Sequence, residues 1–156
     1  MEKAIFAAGC FWSVEAAFAA MPGVSETEVG YTGGITDHPT YEDVCAHGTG
    51  HAEAVRVTYD GTKTSYADLV QKFFTLHDPT QVNRQGPDVG DQYRSAIFFL
   101  SPEQERIARA VKAKIGDSGR YKNPIATIIE PAKTFWRAEE YHQHYVAKKG
   151  GGSCHI

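Results

Sequence analysis

Apolar residues along this chain follow two spacings, and the switch between them marks out the elements. Ala4 to Ala8 is a short uninterrupted apolar run of the kind that forms a buried strand. Phe11, Val14, Phe18 and Met21 then recur at helical spacing until Pro22-Gly23 stops the pattern. Glu26 to Tyr31 and Ala52 to Tyr59 read as strands. In the latter, Val55, Val57 and Tyr59 alternate with Arg56 and Thr58 before Asp60-Gly61 turns the chain. Ser65 with Asp68 three residues on resembles a capping box, and Leu69, Phe73 and Leu76 carry a helix to about His77, where Asp78-Pro79 ends it. Ser95 to Leu100 is a further strand. Ser101-Pro102, with Gln104 at the third helical position, opens a helix along Ile107, Val111 and Ile115. Ala126 to Glu130 gives a last strand and Arg137 to Lys149 a weaker last helix, which fades into a glycine run expected to be a flexible tail from about residue 150.

Alternating strands and helices without repeats predict an α/β (α+β) two-layer sandwich with a mixed sheet. Two stretches, Gly33 to His51 and Asp78 to Arg94, lack regular pattern and exceed the length of mere connectors. They hold Tyr41, Arg84, Gln85, Asp88 and Tyr93, a mixture that suits a binding site better than a disordered linker.

Composition narrows the classes. A chain of 156 residues, 42% hydrophobic and 22% charged, is enough for one domain with a real core, expected over 1–156. A net charge of -3 without charged blocks gives no support for nucleic-acid or membrane-surface binding. The apolar run near the N-terminus is too short to span a bilayer and lacks a clear signal cleavage site, so a cytoplasmic protein is expected, with a monomer as the default. Three cysteines do not make a secreted disulfide framework, and each is judged as chemistry or as core.

Cys10 sits where a strand hands over to a helix, facing the free N–H groups of the first helical turn, whose positive dipole end favours thiolate over thiol. That makes it a candidate nucleophile, against the alternative of a small buried hydrophobe. Beside it, Phe11 and Trp12 are either core anchors or the walls of a pocket for a small apolar group. Glu53 shares strand parity with Val55 and Val57, so its carboxyl points to the face they bury. Burial would raise its pKa and leave an acid able to donate a proton near neutral pH, unless the strand end lets it reach solvent. Tyr41 and Tyr93 can donate phenolic hydrogen bonds or simply pack. Cys154, in the glycine-rich tail, has no core to join. It reads either as a mobile partner thiol, able to condense with a sulfenic acid on Cys10, or as an inert tail thiol. Cys45 is assigned to packing, and His47 and His51 are loop residues with no demonstrable partner. A zinc reading of His142, His144, Cys154 and His155 is disfavoured, because residues two apart on a helix do not share a face, so no metal site is expected.

These residues resemble the class A peptide methionine sulfoxide reductases. Gly9-Cys10-Phe11-Trp12 is similar to the family signature. Val29 to Gly34, Tyr41 to Cys45, Gly50 to Val55, His77 to Thr80, Arg84 to Gly86 and Asp91 to Ile97 match in order over nearly the whole chain. Ser13 stands where the family usually has glycine, and Pro87 where it usually has asparagine. The tail also lacks the family's usual Gly-Tyr-Cys context. The resemblance implies a ferredoxin-like core with long active-site loops and thiol-dependent reduction of methionine S-sulfoxide, free or in oxidised proteins. Cys10 would attack the sulfur, Phe11 and Trp12 would hold the S-methyl group, and Glu53 would protonate the oxygen. Tyr41 and Tyr93 would bond that oxygen, and Asp88 would organise the polar side. A sulfenic acid on Cys10 would be resolved by Cys154 to a disulfide that thioredoxin, an external dithiol reductant, recycles without a metal or organic cofactor. A noncatalytic thiol redox switch is the competing class.

Overall fold

A computed structural model describes residues 1–148, so the glycine-rich tail and Cys154 lie outside the described residues. Along the chain run β1 (Glu2–Ala8), α1 (Phe11–Ala19), β2 (Val24–Thr32), α2 (Tyr41–Cys45), β3 (Ala52–Tyr59) and α3 (Tyr66–Thr75). After them come β4 (Arg84–Gln85), β5 (Asp88–Val89), β6 (Ser95–Phe99), α4 (Pro102–Asp117), β7 (Ile128–Pro131), β8 (Trp136–Arg137) and α5 (Tyr145–Lys148). Six strands form one sheet in the order β7-β6-β1-β3-β2-β8. Its pairings are antiparallel except the parallel β6–β7, so the sheet is mixed as its alternating pattern implied. The central order β6-β1-β3-β2, with α1 leading from β1 to β2 and α3 from β3 to β6, is the ferredoxin-like arrangement.

Strand parity decides what lies on each face. Ala4, Phe6 and Ala8 of β1, Val55 and Val57 of β3 and Ile97 of β6 pack with Phe11, Val14 and Phe18 of α1 and Leu69, Val70, Phe73 and Phe74 of α3. Phe6 stacks on Phe18 at 5.0 Å and on Phe73 at 5.4 Å between ring centroids, which ties both helices to the central strand. The other face carries Ile5, Ala7, Ala52, Ala54, Ala96 and Phe98, against which Ala132 and Phe135 pack. The small residues let the 132–136 segment come close. At Gly30 a Cβ would lie 2.5 Å from the Trp136 carbonyl and 2.6 Å from the Phe135 ring, so glycine is required there.

The helix-start signals hold. Ser65 and Ser101 accept hydrogen bonds from the Asp68 and Gln104 N–H groups at 3.1 and 3.2 Å, capping α3 and α4. Gln104 turns its own buried side chain toward the sheet, accepting from Leu100 N–H and donating to the Lys3 carbonyl, which links α4 to the end of β6 and to β1.

The expected helix over Arg137 to Lys149 does not form. The chain instead makes β8, a 3-10 turn at Glu140–His142 and the single turn α5. Its polar groups are satisfied elsewhere. The buried Gln143 amide donates to the Val29 and Ala138 carbonyls and accepts from Val29 N–H, all within 3.0 Å, imitating a strand on the edge of β2. His144 then takes a left-handed φ of 54°, incompatible with a continuous helix. Gln143→Ala would leave the Val29 N–H and the Ala138 carbonyl short of a partner, although the Val29 carbonyl would still accept from the Ala138 N–H. It is expected to lower unfolding free energy by about 2–4 kcal/mol, read as a shifted urea midpoint at unchanged slope.

Candidate active site

The site forms at one end of the sheet, where β1 finishes and its antiparallel neighbours β3 and β6 begin. β1 runs into Gly9, whose φ of 95° lies in the region that glycine enters without strain, and Cys10 follows as the N-cap of α1. Cys10 is 7% exposed and disulfide-bonded in this structure, whereas Cys45 is a free thiol. A cavity of about 120 Å³ opens beside Cys10, lined by Phe11, Trp12, Tyr41, Glu53, Asp88 and Tyr93 as well. These seven are the described residues to which the resemblance gave a role in catalysis or substrate binding; Cys154 lies outside the described residues. A larger cavity of about 420 Å³ between α3 and α4, lined by Gln71, Thr75, Val111 and Lys114 among others, has neither a cysteine nor a carboxylate in its lining.

Each wall has a local cause. Glu53 opens β3 beside Ala52, opposite Tyr31 of β2, and is 1% exposed, so the strand end does not carry it into solvent. Its Oε1 accepts the Phe11 N–H at 3.2 Å, using one of the donors that the start of α1 leaves open. Burial pushes the Glu53 carboxyl up to about 8; the Phe11 hydrogen bond opposes that rise and the negative charge of Asp88 adds to it. An acid that keeps its proton at pH 7 therefore stands next to Cys10.

The two long loops supply the rest. Thr40 caps α2 through a full capping box with Asp43, and this sets Tyr41 at the first helical position. The β4–β5 hairpin brings Asp88 to the cavity, and a 3-10 turn at Asp91–Tyr93 follows with Tyr93. Desolvation pushes the Tyr93 hydroxyl up to about 12, helped by the charges of Glu53, Cys45 and Asp88. Burial and a hydrogen bond with Cys45 also raise Tyr41, so both phenols keep their protons. Cys45 is thus a neighbour of the site through Tyr41, not only a packing residue.

Other loop residues prove to be scaffolding. Gln85 is buried and pairs with the Asp78 N–H and carbonyl, holding the hairpin to the end of α3, while Arg84 faces solvent. His51, read as a loop residue without a partner, is 2% exposed. It accepts the Gly34 N–H at 3.0 Å and lies 2.7 Å from the Thr36 carbonyl, closing the base of the loop that carries α2. His142 ends the 3-10 turn and His144 follows it, so the two do not share the α-helix expected there. The Trp12 indole N–H donates to His142 Nδ1 at 3.0 Å, and His144 lies beside the buried Glu15. Among the described residues no group of three or more His, Cys, Asp or Glu could hold a metal ion. Nor is any described helix long and apolar enough to cross a membrane.

Two contributors were not legible. Glu139 accepts the Tyr31 hydroxyl and the Tyr41 N–H, both at 2.9 Å, across 108 and 98 residues of chain. His142, weighed only as a metal ligand, packs against the rings of Phe11, Trp12 and Tyr41 with centroids 5.3, 5.5 and 4.6 Å away. No local pattern marks either.

The model of the peptide methionine sulfoxide reductase family matches residues 2–156. This chain belongs to the peptide methionine sulfoxide reductase family. A relative from Geobacter metallireducens, named peptide methionine sulfoxide reductase MsrA, is 60% identical over 154 residues, covering 99% of this chain and 95% of its own length. The structure is similar to Mxr1 of Saccharomyces cerevisiae in reduced form, with TM-score 0.90 and 36% identity over 98% of this chain and 88% of that one. Mxr1 solved in complex with Trx2 matches with TM-score 0.65 and 26% identity over 92% of this chain and 84% of its own. The chemistry of peptide methionine sulfoxide reductases is an oxidoreductase reaction, the return of methionine sulfoxide to methionine.

The raised Glu53 pKa has a consequence for stability. An unfolded glutamate titrates near 4.5 and the folded Glu53 near 8, so the folded state holds more protons between those values. Glu53 therefore favours folding fully below about pH 4.5, and that contribution is lost as pH rises through 8. Stability measured by urea unfolding is expected to fall with pH across this window in the wild type. In Glu53→Gln the fall should be shallower by up to about 1.4 kcal/mol per pH unit.

Proposed function

We propose that this chain is a thioredoxin-dependent peptide methionine (S)-S-oxide reductase in which Cys10 is the nucleophile and Glu53 the acid. The observation that carries this reading is the juxtaposition, around one small cavity, of a helix-capping cysteine, a buried acid at about 8 and two protonated phenols. Phe11 and Trp12 hold the S-methyl group, and Tyr41 and Tyr93 donate to the sulfoxide oxygen, with Asp88 on the polar side. The Cys10 sulfur attacks the sulfoxide sulfur as Glu53 supplies a proton to its oxygen. A sulfur–sulfur bond forms; that bond and the substrate's sulfur–oxygen bond then break as the hydroxyl passes to the Cys10 sulfur, so methionine leaves and Cys10 is left as a sulfenic acid.

Cys154 attacks that sulfenic acid, releasing water and leaving a Cys10–Cys154 disulfide. An external dithiol then reduces it and restores both thiols. Family membership and the Trx2 complex of the related Mxr1 support thioredoxin as that dithiol. No resident cofactor is needed, since two thiols supply both electrons. The proposed setting is a cytoplasmic monomer acting in oxidative-stress repair on free methionine sulfoxide or on oxidised proteins.

Single-turnover reduction of the S epimer of an acetylated methionine sulfoxide, without added reductant, tests the scheme. Wild type is expected to form about one methionine per chain and lose two thiols, and Cys154→Ser to lose one thiol and yield a trappable sulfenic acid. No methionine from fully reduced wild type would sink the reductase reading and favour a redox switch. An unchanged two-thiol loss in Cys154→Ser would move the resolving role to Cys45. Glu53→Gln should lower the rate at pH 7 by roughly 10²–10⁴-fold. The wild-type rate should decline as pH rises through about 8, where Glu53 loses its proton.

A further inference from the structure

The helix that carries Tyr41 is too short to hold itself in place. α2 spans only the five residues Tyr41–Cys45, well below the length at which a helix is stable through its own hydrogen bonds. The first N–H groups of any helix lack partners within it. Here the Asp43 N–H donates to the Thr40 hydroxyl at 3.1 Å and the Asp43 carboxylate accepts the Thr40 N–H at 2.9 Å, so both bonds of the capping box close within residues 40–43. They shape the turn without fixing it to another element. The Tyr41 N–H instead donates to Glu139 Oε2 at 2.9 Å, across 98 residues of chain.

Glu139 is held in turn by the body of the protein. Its Oε1 accepts the hydroxyl of Tyr31, a fully buried residue of β2, at 2.9 Å. Desolvation raises the Glu139 carboxyl, but the Tyr41 N–H, its own N–H and the Tyr31 hydroxyl outweigh it and hold the group below the usual carboxylate range. Glu139 is therefore ionised at neutral pH, with its charge against the positive end of α2. Both of its partners are donors. A carboxylate meets two donors with two acceptor oxygens, whereas an amide of the same length has one acceptor and an apolar side chain none. Packing does not call for a carboxylate here, and these two bonds do. Glu139 does not line the cavity beside Cys10, so it acts on the site through what it holds.

We infer that Glu139 is a positioning residue for oxygen recognition: by tying the start of α2 to β2 it holds the Tyr41 hydroxyl at the cavity beside Cys10. This rests on the reading of Tyr41 as a donor to the sulfoxide oxygen. The hydroxyl lies at the far end of a ring that leaves the first residue of α2, so a small tilt of so short a helix swings it out of hydrogen-bond reach. The donor matters most as charge builds on the oxygen. Its displacement therefore slows the chemical step more than it weakens binding.

The test is the single-turnover rate of methionine formation by the fully reduced, full-length protein on the S epimer of an acetylated methionine sulfoxide, for Glu139→Leu, Tyr41→Phe and the double variant. Glu139→Leu keeps bulk without an acceptor. Its rate at saturating sulfoxide is expected to fall about tenfold, the size of one lost hydrogen bond, with the half-saturating concentration within about threefold of wild type. In the Tyr41→Phe background, where the hydroxyl is gone, the same substitution should change the rate by less than about twofold. Should Glu139→Leu not fold, Glu139→Gln, which keeps one acceptor, takes its place in the cycle with an expected loss of about threefold. An unchanged rate in the folded Glu139 variant overturns the inference, as does an equal loss in both backgrounds, the mark of a merely structural role. If Tyr41→Phe leaves the rate unchanged, the reading of Tyr41 falls and the inference with it. If Tyr41→Phe slows the reaction and the Glu139 variant does not, only the role given to Glu139 falls.

Discussion

The contact between the Glu53 carboxyl and the Phe11 N–H binds the start of β3 to the start of α1, and the whole site is arranged around it. It places an acid against a helix N-terminus whose cap is Cys10, so one interaction fixes both groups that the proposed chemistry needs. It also sets a limit. The N–H stabilises the carboxylate, but the desolvation of a residue 1% exposed outweighs it, and the balance leaves the carboxyl titrating near 8. A more exposed glutamate would be ionised at neutral pH, and one further from the helix would lose its register with Cys10. The depth of the sheet end sets the acidity.

The two long loops become intelligible from this constraint. A buried acid needs walls that keep water out, yet those walls must offer donors to a polar substrate atom. α2 and the 3-10 turn before β6 meet both demands with Tyr41 and Tyr93, whose hydroxyls stay protonated because burial and neighbouring negative charge oppose ionisation. Their anchors lie away from the cavity. Thr40 and Asp43 cap α2, His51 closes the base of its loop, and Gln85 ties the hairpin to Asp78. The catalytic-looking groups and the groups that hold them are different side chains, which lets the loops be irregular and still ordered.

Most of the strands and long helices were legible because their signals are local. Parity along Val55, Val57 and Tyr59 gave β3 and turned Glu53 inward, and Ser101-Pro102 with Gln104 gave the start of α4. The C-terminal segment was not legible, for the opposite reason. Gln143, Glu139 and His142 look like ordinary helix-compatible residues, and each is committed to a partner 98 to 130 residues away. Helix propensity over Arg137 to Lys149 was overridden because bonds to β2 and α1 satisfy the same polar groups. His51 failed for the same reason on a smaller scale, its partners being fixed only by how the loop closes.

The C-terminal segment thus acts as a clasp, and its placement ties binding to folding. Gln143 seats it on β2, Glu139 joins Tyr31 to the N-terminus of α2, and His142 and Tyr145 hold Trp12. His144 N–H adds a bond to Glu15, whose buried carboxyl is raised by desolvation despite that bond and the Thr27 hydroxyl. The segment therefore contacts the middle of α1, the edge of β2 and two walls of the cavity at once. Because its regular structure is slight, its position depends on these side-chain bonds rather than on a helix of its own. A change in any one of them transmits directly to Trp12 or Tyr41. The aromatic side of the site is consequently as dependent on distant polar contacts as the acidic side is on the Glu53 bond.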